Sequence, residues 1–440
     1  MNQVELLSPA GNLKKLKIAL NYGADAVYGG VSHFSLRNRA SKEFTLETFK
    51  EGIDYAHALD KKVYATINGF PFNSQLKLLE EHIYKMAELE PDAFIIAAPG
   101  VVKLALKIAP HIPVHLSTQA NVLNLLDAQV FYDLGVKRIV CARELSLNDA
   151  IEIKKALPDL ELEIFVHGSM CFAFSGRCLI SALQKGRVPN RGSCANDCRF
   201  DYEYYVKNPD NGVMMRLVEE EGVGTHIFNA KDLNLSSHIA EILSSNAISA
   251  LKIEGRTKSS YYAAQTTRIY RLAVDDFYNN TLKPSFYASE LNTLKNRGFT
   301  DGYLMRRPFE RLDTQNHQTA ISEGDFQVNG EITEDGRFFA CKFTTTTNTA
   351  YEIIAPKNAA ITPVVNEIGK IYTFEKRSYL VLYKILLENN TELETIHSGN
   401  VNLVRLPAPL PAFSFLRTQV EPKNGVWRLG IKTIERNACP

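Results

Sequence analysis

The sequence predicts an α/β fold: a (β/α)8 TIM-like barrel with a Cys-rich insertion after strand 7, followed by a small C-terminal β-barrel or sandwich domain. Three observations predict it. The first ~280 residues alternate short, continuously apolar runs with amphipathic helical stretches, as parallel strands buried on both faces and covered by helices do. Eight such runs can be counted, the number that closes a parallel sheet on itself. After Gly302 helical periodicity gives way to alternating, β-branched runs. An open doubly wound sheet is the alternative, but no Gly-x-Gly-x-x-Gly follows the first strand.

The elements follow in order. Val4–Leu7 reads as the first strand. Asn12 then caps a helix carrying Leu13, Leu16 and Leu20 at helical spacing. Asp25–Tyr28 is the second strand, and Phe49, Ile53 and Ala56 mark the helix after it. Val63–Ile67 is the third, followed by a helix with Leu79, Ile83 and Met86 on one face. Ala93–Ala97, ended by Pro99-Gly100, is the fourth; Val114–Leu116 is the fifth and Arg138–Cys141 the sixth. Leu162–Val166 and Ala250–Ile253 are the seventh and eighth, about 80 residues apart where a βα unit needs ~30. Residues 171–229 are therefore an insertion above the C-terminal ends of the strands, with a hairpin formed by Tyr202–Val206 and Val213–Leu217 around Asn208-Pro209-Asp210-Asn211-Gly212. A long helix, about Ser259–Asn279, closes the barrel.

Beyond it, Phe339–Phe343 puts Phe339, Cys341 and Phe343 on one face, and Thr344–Thr347 extends that strand. Tyr351–Ile354 and Tyr379–Tyr383 are further strands, and Leu406–Pro411 is a proline-stiffened extended segment. The domain plan is 1–300 for the barrel, 301–320 for a linker and 321–440 for the β domain.

Composition narrows the function. The chain has 440 residues, 45% hydrophobic and 22% charged, which excludes disordered, collagenous and coiled-coil classes. Lys+Arg is 50 and Asp+Glu 49, so any polyanion must meet a local patch rather than a globally basic surface. The start lacks an apolar signal region, and the most apolar long stretch, Phe94–Ile112, is broken by prolines and lysines. A cytoplasmic protein with no membrane partner is the expectation.

Seven cysteines in a reducing compartment need a use other than disulfides. Cys171, Cys178, Cys194 and Cys198 fall within 28 residues as Cys-x6-Cys-x15-Cys-x3-Cys, beginning just past strand seven. Four soft thiolates suit an iron–sulfur cluster or zinc. The wide first pair departs from the tight knuckles of structural zinc, and free structural thiols are the third option. Cys141 and Cys341 read as buried small hydrophobes, and Cys439 as a tail residue. The same segment concentrates Arg177, Lys185, Arg187 and Arg191 against Asp197, with Arg199 and Lys207 following. Those charges offset a negative cluster, bind phosphates or a small anion, or simply form a solvated loop.

Polar residues also gather where strands end, the usual place for barrel chemistry. His167, Glu254 and Arg256 are the catalytic candidates. Arg37, Arg39, Asn68, Gln119, Asn121, Arg143, Arg177 and Lys258 are candidates for binding substrate or anion. No His-Glu-x-x-His or Gly-x-Ser-x-Gly is present. His167, four residues before Cys171, allows a thiol-protease arrangement, but nothing singles out a nucleophile with an oxyanion hole.

The run from Glu163 through Val166-His167-Gly168-Ser169-Met170-Cys171 to Gly176-Arg177-Cys178 and Ser181 resembles the signature of the U32 peptidase family, the collagenase-like proteins. Leu7-Ser8-Pro9-Ala10-Gly11, Asn190-Arg191-Gly192-Ser193-Cys194, Phe228–Leu233 and Ile253–Ser259 add to the likeness. Beside the protease label, the resemblance implies a hydroxylation factor with a four-iron, four-sulfur (4Fe–4S) cluster. Such factors act on tRNA wobble uridine, on ribosomal RNA cytidine or in ubiquinone synthesis. Length and layout match the tRNA-acting members, which form 5-hydroxyuridine with prephenate as a small anionic co-substrate. By the same resemblance Cys171, Cys178, Cys194 and Cys198 are the cluster ligands; no cysteine stands between Cys198 and Cys341 to replace the last. The alternatives are a U32 peptidase and a non-catalytic, zinc-stabilised RNA-binding module.

Overall fold

A computed structural model describes residues 3–31, 34–35, 44–171, 197–199, 204–207, 209–210, 212, 214–217, 230–306, 314 and 324–420. Seven parallel strands run in chain order: β1 (Glu5–Pro9), β2 (Ala26–Gly29), β3 (Lys62–Ile67), β4 (Ala93–Ile96), β5 (Val114–Leu116), β6 (Arg138–Val140) and β7 (Glu161–Ser169). Strand Ala250–Ile253 pairs in parallel with both β7 and β1 and closes the barrel. The eight apolar runs found by sequence are these eight strands, with Cys141 one residue past the end of β6.

Between them lie helices α1 (Leu13–Asn21), α2 (Leu46–His57), α3 (Leu76–Ala87), α4 (Pro99–Ile108), α5 (Leu125–Asp133) and α6 (Leu147–Ala156). The Asn12 side chain accepts from the Lys15 amide and satisfies an end donor of α1. Pro99 opens α4 at its first turn, where a missing N–H costs nothing. Strand alternation divides the side chains. Leu6, Val27, Val63 and Phe94 join the helices in the main core, while Leu7, Tyr28, Tyr64 and Ile95 form a separate apolar cluster. Charges also enter the strands: Arg138, on β6, bonds Glu5 and Glu163, and Lys252 reaches Glu163 at 2.6 Å.

β7 is nine residues long and outruns its neighbours. Its end pairs antiparallel with Asp232–Asn234, setting Ser169 opposite Asp232 and His167 opposite Asn234. This strand was not expected from sequence, because three residues carry no readable period. It brings the chain back beside the point where the insertion leaves. Of the insertion, the hairpin is seen as Tyr204–Lys207 paired antiparallel with Met214–Leu217. The long helix runs Ser260–Tyr278, capped by Ser259.

An eight-stranded antiparallel sheet spanning 326–419 encloses a second core with Phe339, Tyr351, Ile371, Leu380 and Leu416. Two sequence expectations fail here. The strand Phe338–Cys341 stops before Phe343, which is 45% exposed. Thr345–Thr346 does not extend it but pairs with Thr395–Ile396 in a small separate sheet.

This sheet docks on the barrel through a buried ionic knot, with Lys14–Glu331 and Lys357–Asp275 pairs at its margin. Arg417, fully buried, donates to Glu352 (2.8 Å), Glu290 (3.0 Å), Tyr261 (3.0 Å) and Thr293 (3.1 Å), and Arg377 bridges the same two carboxylates. Tyr22 donates to the Ile354 carbonyl nearby. Burial pushes the Glu290 carboxyl up, but Arg417, Arg377 and Arg268 outweigh it and hold it below the ordinary 4.5.

Arg417→Met should destabilise the protein by about 3 kcal/mol, because two buried carboxylates lose their buried partner and keep only the part-exposed Arg377; thermal denaturation measures it. In the wild type, Glu290's contribution is complete above its ordinary pKa and lost as pH falls through the lowered value, so the melting temperature should drop in acid. Gly168 has φ +109, and a Cβ there would stand 2.6 Å from the Glu254 carbonyl oxygen. Gly168→Ala should therefore cost more than about 1 kcal/mol in the same measurement.

Candidate functional site at the barrel mouth

The C-terminal strand ends converge on a mouth whose polar residues are tied to each other. Arg256, 6% exposed, donates from Nη1 to Ser35 Oγ (2.7 Å) and Thr66 Oγ1 (3.0 Å). It thereby fastens the eighth strand's loop to β3 and to the segment after β2. Lys15, at the start of α1, donates to the Arg256 carbonyl. This candidate catalyst sits as a brace in the wall.

Arg143 and Glu254 come from the loops after β6 and the eighth strand and meet at 3.6 Å. The Arg143 guanidinium also lies 3.8 Å from the centre of the Phe165 ring, a cation–π contact that holds a positive charge in a nearly buried place. After β5, Ser117 donates to Gln119 Oε1, and Asn121, in the left-handed region, donates to the Gln119 carbonyl. Asn121 Oδ1 is buried without a hydrogen-bond partner among the described residues. Asn68 follows β3, half-buried.

His167 is the most enclosed of the candidates. It is 2% exposed, with its ring 5.5–5.9 Å from the rings of Phe299, Tyr270 and Tyr262. Burial drives its pKa down to about 4; Asp232 opposes this and Lys258 adds to it. The ring is neutral at neutral pH, and its Nδ1 has no hydrogen-bond partner among the described residues. Beside it is a small recess lined by His167, Gly168, Asp232, Lys258, Tyr262 and Phe299, among others. Asp232 is paired with Arg297, which also donates to the Ala230 carbonyl and so pins the returning chain.

The cysteines divide by environment. Cys141 and Cys341 are buried, and burial raises both thiols, Cys141 to about 12, which leaves them inert. Cys171 and Cys198 are half-buried. Cys171 stands two residues past the end of β7, at the mouth. As soft donors with partial access they fit a thiolate-ligated group by their chemistry. Cys178 and Cys194, together with Arg37, Arg39 and Arg177, lie outside the described residues.

Sequence reasoning passed over Asp232, Tyr262 and Tyr270. The two tyrosines are eight apart on the long helix and so share a face, and Asp232 lay within a quoted motif; both signals were present. No helix among the described residues is long and apolar enough to cross a membrane.

Comparison with known proteins agrees with the motifs. The sequence model of peptidase family U32 matches residues 11–314. The chain is 98% identical over 420 residues to tRNA hydroxylation protein P of Helicobacter pylori, covering 96% of this chain and 100% of that one. The protein of the same name in Escherichia coli is 38% identical over 372 residues, 76% of this chain and 81% of its own. A 23S rRNA 5-hydroxycytidine synthase of Escherichia coli is 33% identical over 274 residues, 62% of this chain and 40% of its own. With its signature beginning on β7 and the family match running from Gly11 to Thr314, this chain belongs to peptidase family U32.

Proposed function

We propose that this chain is an RNA-modifying enzyme that hydroxylates the wobble uridine of tRNA to 5-hydroxyuridine. A 4Fe–4S cluster on Cys171, Cys178, Cys194 and Cys198 and a small prephenate-like anion belong to the same proposal, as does a cytoplasmic location. One observation carries it: the Cys171 thiol opens at the barrel mouth of a chain that is, over 96% of its length, 98% identical to a protein named for tRNA hydroxylation. When bound, such a cluster supplies one-electron redox chemistry. The chain's own residues do the rest. Arg143 and Lys258 bring positive charge to the mouth for a carboxylate-bearing substrate, while Arg256 and Gly168 hold the strand ends in register around it. A base reaching this depth must leave its stack, as unpaired anticodon nucleotides do most readily.

The family's peptidase label invites a thiol–imidazole pair. Against it, His167 is neutral down to about pH 4, far too weak a base to hold a thiolate.

Protein prepared without oxygen should be brown, with ~4 Fe per chain and broad absorbance near ~400 nm. Cys171→Ser should lose that iron, and in a deletion strain it should fail to restore the tRNA hydroxyl that the wild type restores. Colourless protein after anaerobic reconstitution would sink the proposal, and stoichiometric zinc without iron would make the chain a zinc-stabilised RNA-binding module. Peptide cleavage lost in Cys171→Ala with metal content intact would return the peptidase. Separately, the His167 ring resonances should stay at their neutral position from pH 8 down to pH 5, whereas an exposed histidine titrates across that range.

A further inference from the structure

The outer face of the C-terminal sheet does two things. On strands Ala350–Ile354 and Phe415–Gln419 it meets the barrel through Ile354, Phe415 and Arg417. The same face continues onto Gly369–Phe374 and Arg377–Leu382, which pair Lys370 with Val381, Tyr372 with Tyr379 and Phe374 with Arg377. The alternating Ile371, Leu380 and Leu382 enter the sheet's own core, so Lys370, Tyr372, Phe374 and Tyr379 face outward.

These four make a flat aromatic surface. The rings of Tyr372 and Tyr379 stack with centres 5.5 Å apart and planes 24° from parallel. The Lys370 ammonium stands 4.9 Å from the Tyr372 ring. Phe374 is 45% exposed. The hairpin tip is Glu375-Lys376, both left-handed at φ 47 and 66, where Asn-Gly would be relaxed. This unfavourable tip holds Phe374 and the exposed Lys376 outward.

The face is also anchored to the mouth. Arg377, next to the hairpin tip, bonds Glu290 on helix Pro284–Asn292. The chain just beyond that helix, from Leu294 to Phe299, lines the His167 recess. On the hairpin Lys370 and Lys376 stand against Glu375, while Arg377 is engaged by Glu290 and Glu352. Aromatic rings interleaved with cations suit unpaired nucleotides, since every base has a π-face and every linkage a phosphate. A recess that admits one base cannot by itself set the register of a large RNA; contacts elsewhere must do so.

We propose that this face docks unpaired nucleotides of the substrate RNA, with bases on Tyr372, Tyr379 and Phe374 and phosphates near Lys370 and Lys376. The proposal rests on the reading of the chain as a tRNA-modifying enzyme. Its test uses the full chain and an unmodified tRNA transcript, with binding followed by fluorescence anisotropy at several fixed salt concentrations. Tyr372→Ala and Phe374→Ala should each weaken binding about five-fold or more, and Tyr372→Phe should bind as the wild type. Lys376→Gln should lower the slope of log affinity against log salt by about 1. Tyr383→Ala, an exposed tyrosine outside this hairpin, should change nothing. Iron content and melting temperature should match the wild type throughout; if the alanine variants melt early, Lys376→Gln and Tyr372→Phe decide. Wild-type binding that none of these changes alters would overturn the docking face and leave the tRNA reading intact. A wild type that binds no transcript would overturn both. Variants that change only the oligomeric state would make the face a contact between copies and overturn the proposal.

Discussion

The mouth of this barrel depends on one short piece of antiparallel pairing, between the last residues of β7 and Asp232–Asn234. Three residue pairs are enough because the surroundings fix them from both sides. Arg297 holds Asp232 from beyond, and Tyr270 donates to the Val166 carbonyl below. Gly168 lets the Glu254 backbone lie against the strand where no Cβ could fit. The register shift between Lys252 and Ile253 skips one residue of β7 and brings His167 level with the end of the eighth strand. His167, Cys171 and the recess all take their places from this junction.

Charge is sorted along the barrel. Toward the N-terminal ends of the strands, Arg138 collects Glu5, Glu161 and Glu163, and Lys252 completes the set; every ion there has a partner, which is the condition for burying it. Toward the C-terminal ends Arg143 and Glu254 stand 3.6 Å apart, the buried Arg297–Asp232 pair pins the returning strand, and aromatic rings lie beside Arg143 and Lys258. The paired end is built for stability.

The barrel was legible because its signal is repeated. Each strand is a short apolar run, each helix a face such as Leu79, Ile83 and Met86, and eight repetitions outweigh any one misreading. Local runs in the C-terminal sheet had no such redundancy. Phe339 and Cys341 alternate into the core, but the chain turns before Phe343, and no local pattern marks that turn. At the site, sequence named residues but not their tasks. It marks Arg256 and His167 as candidates but does not show that Arg256 ties Ser35 to Thr66 or that aromatic rings from distant segments enclose His167. Burial and long-range partners decide such roles, and neither is written in local spacing.

The returning strand has an evolutionary corollary. With both ends of the excursion clamped side by side, the entropy of closing that loop rises by only about 0.6 kcal/mol for each doubling of its length. The barrel beneath hardly registers what is threaded between the clamps. Ancestors of such a chain could lengthen, trim or exchange the whole cassette between the clamps without refolding the scaffold, so one scaffold can be refitted for different clients.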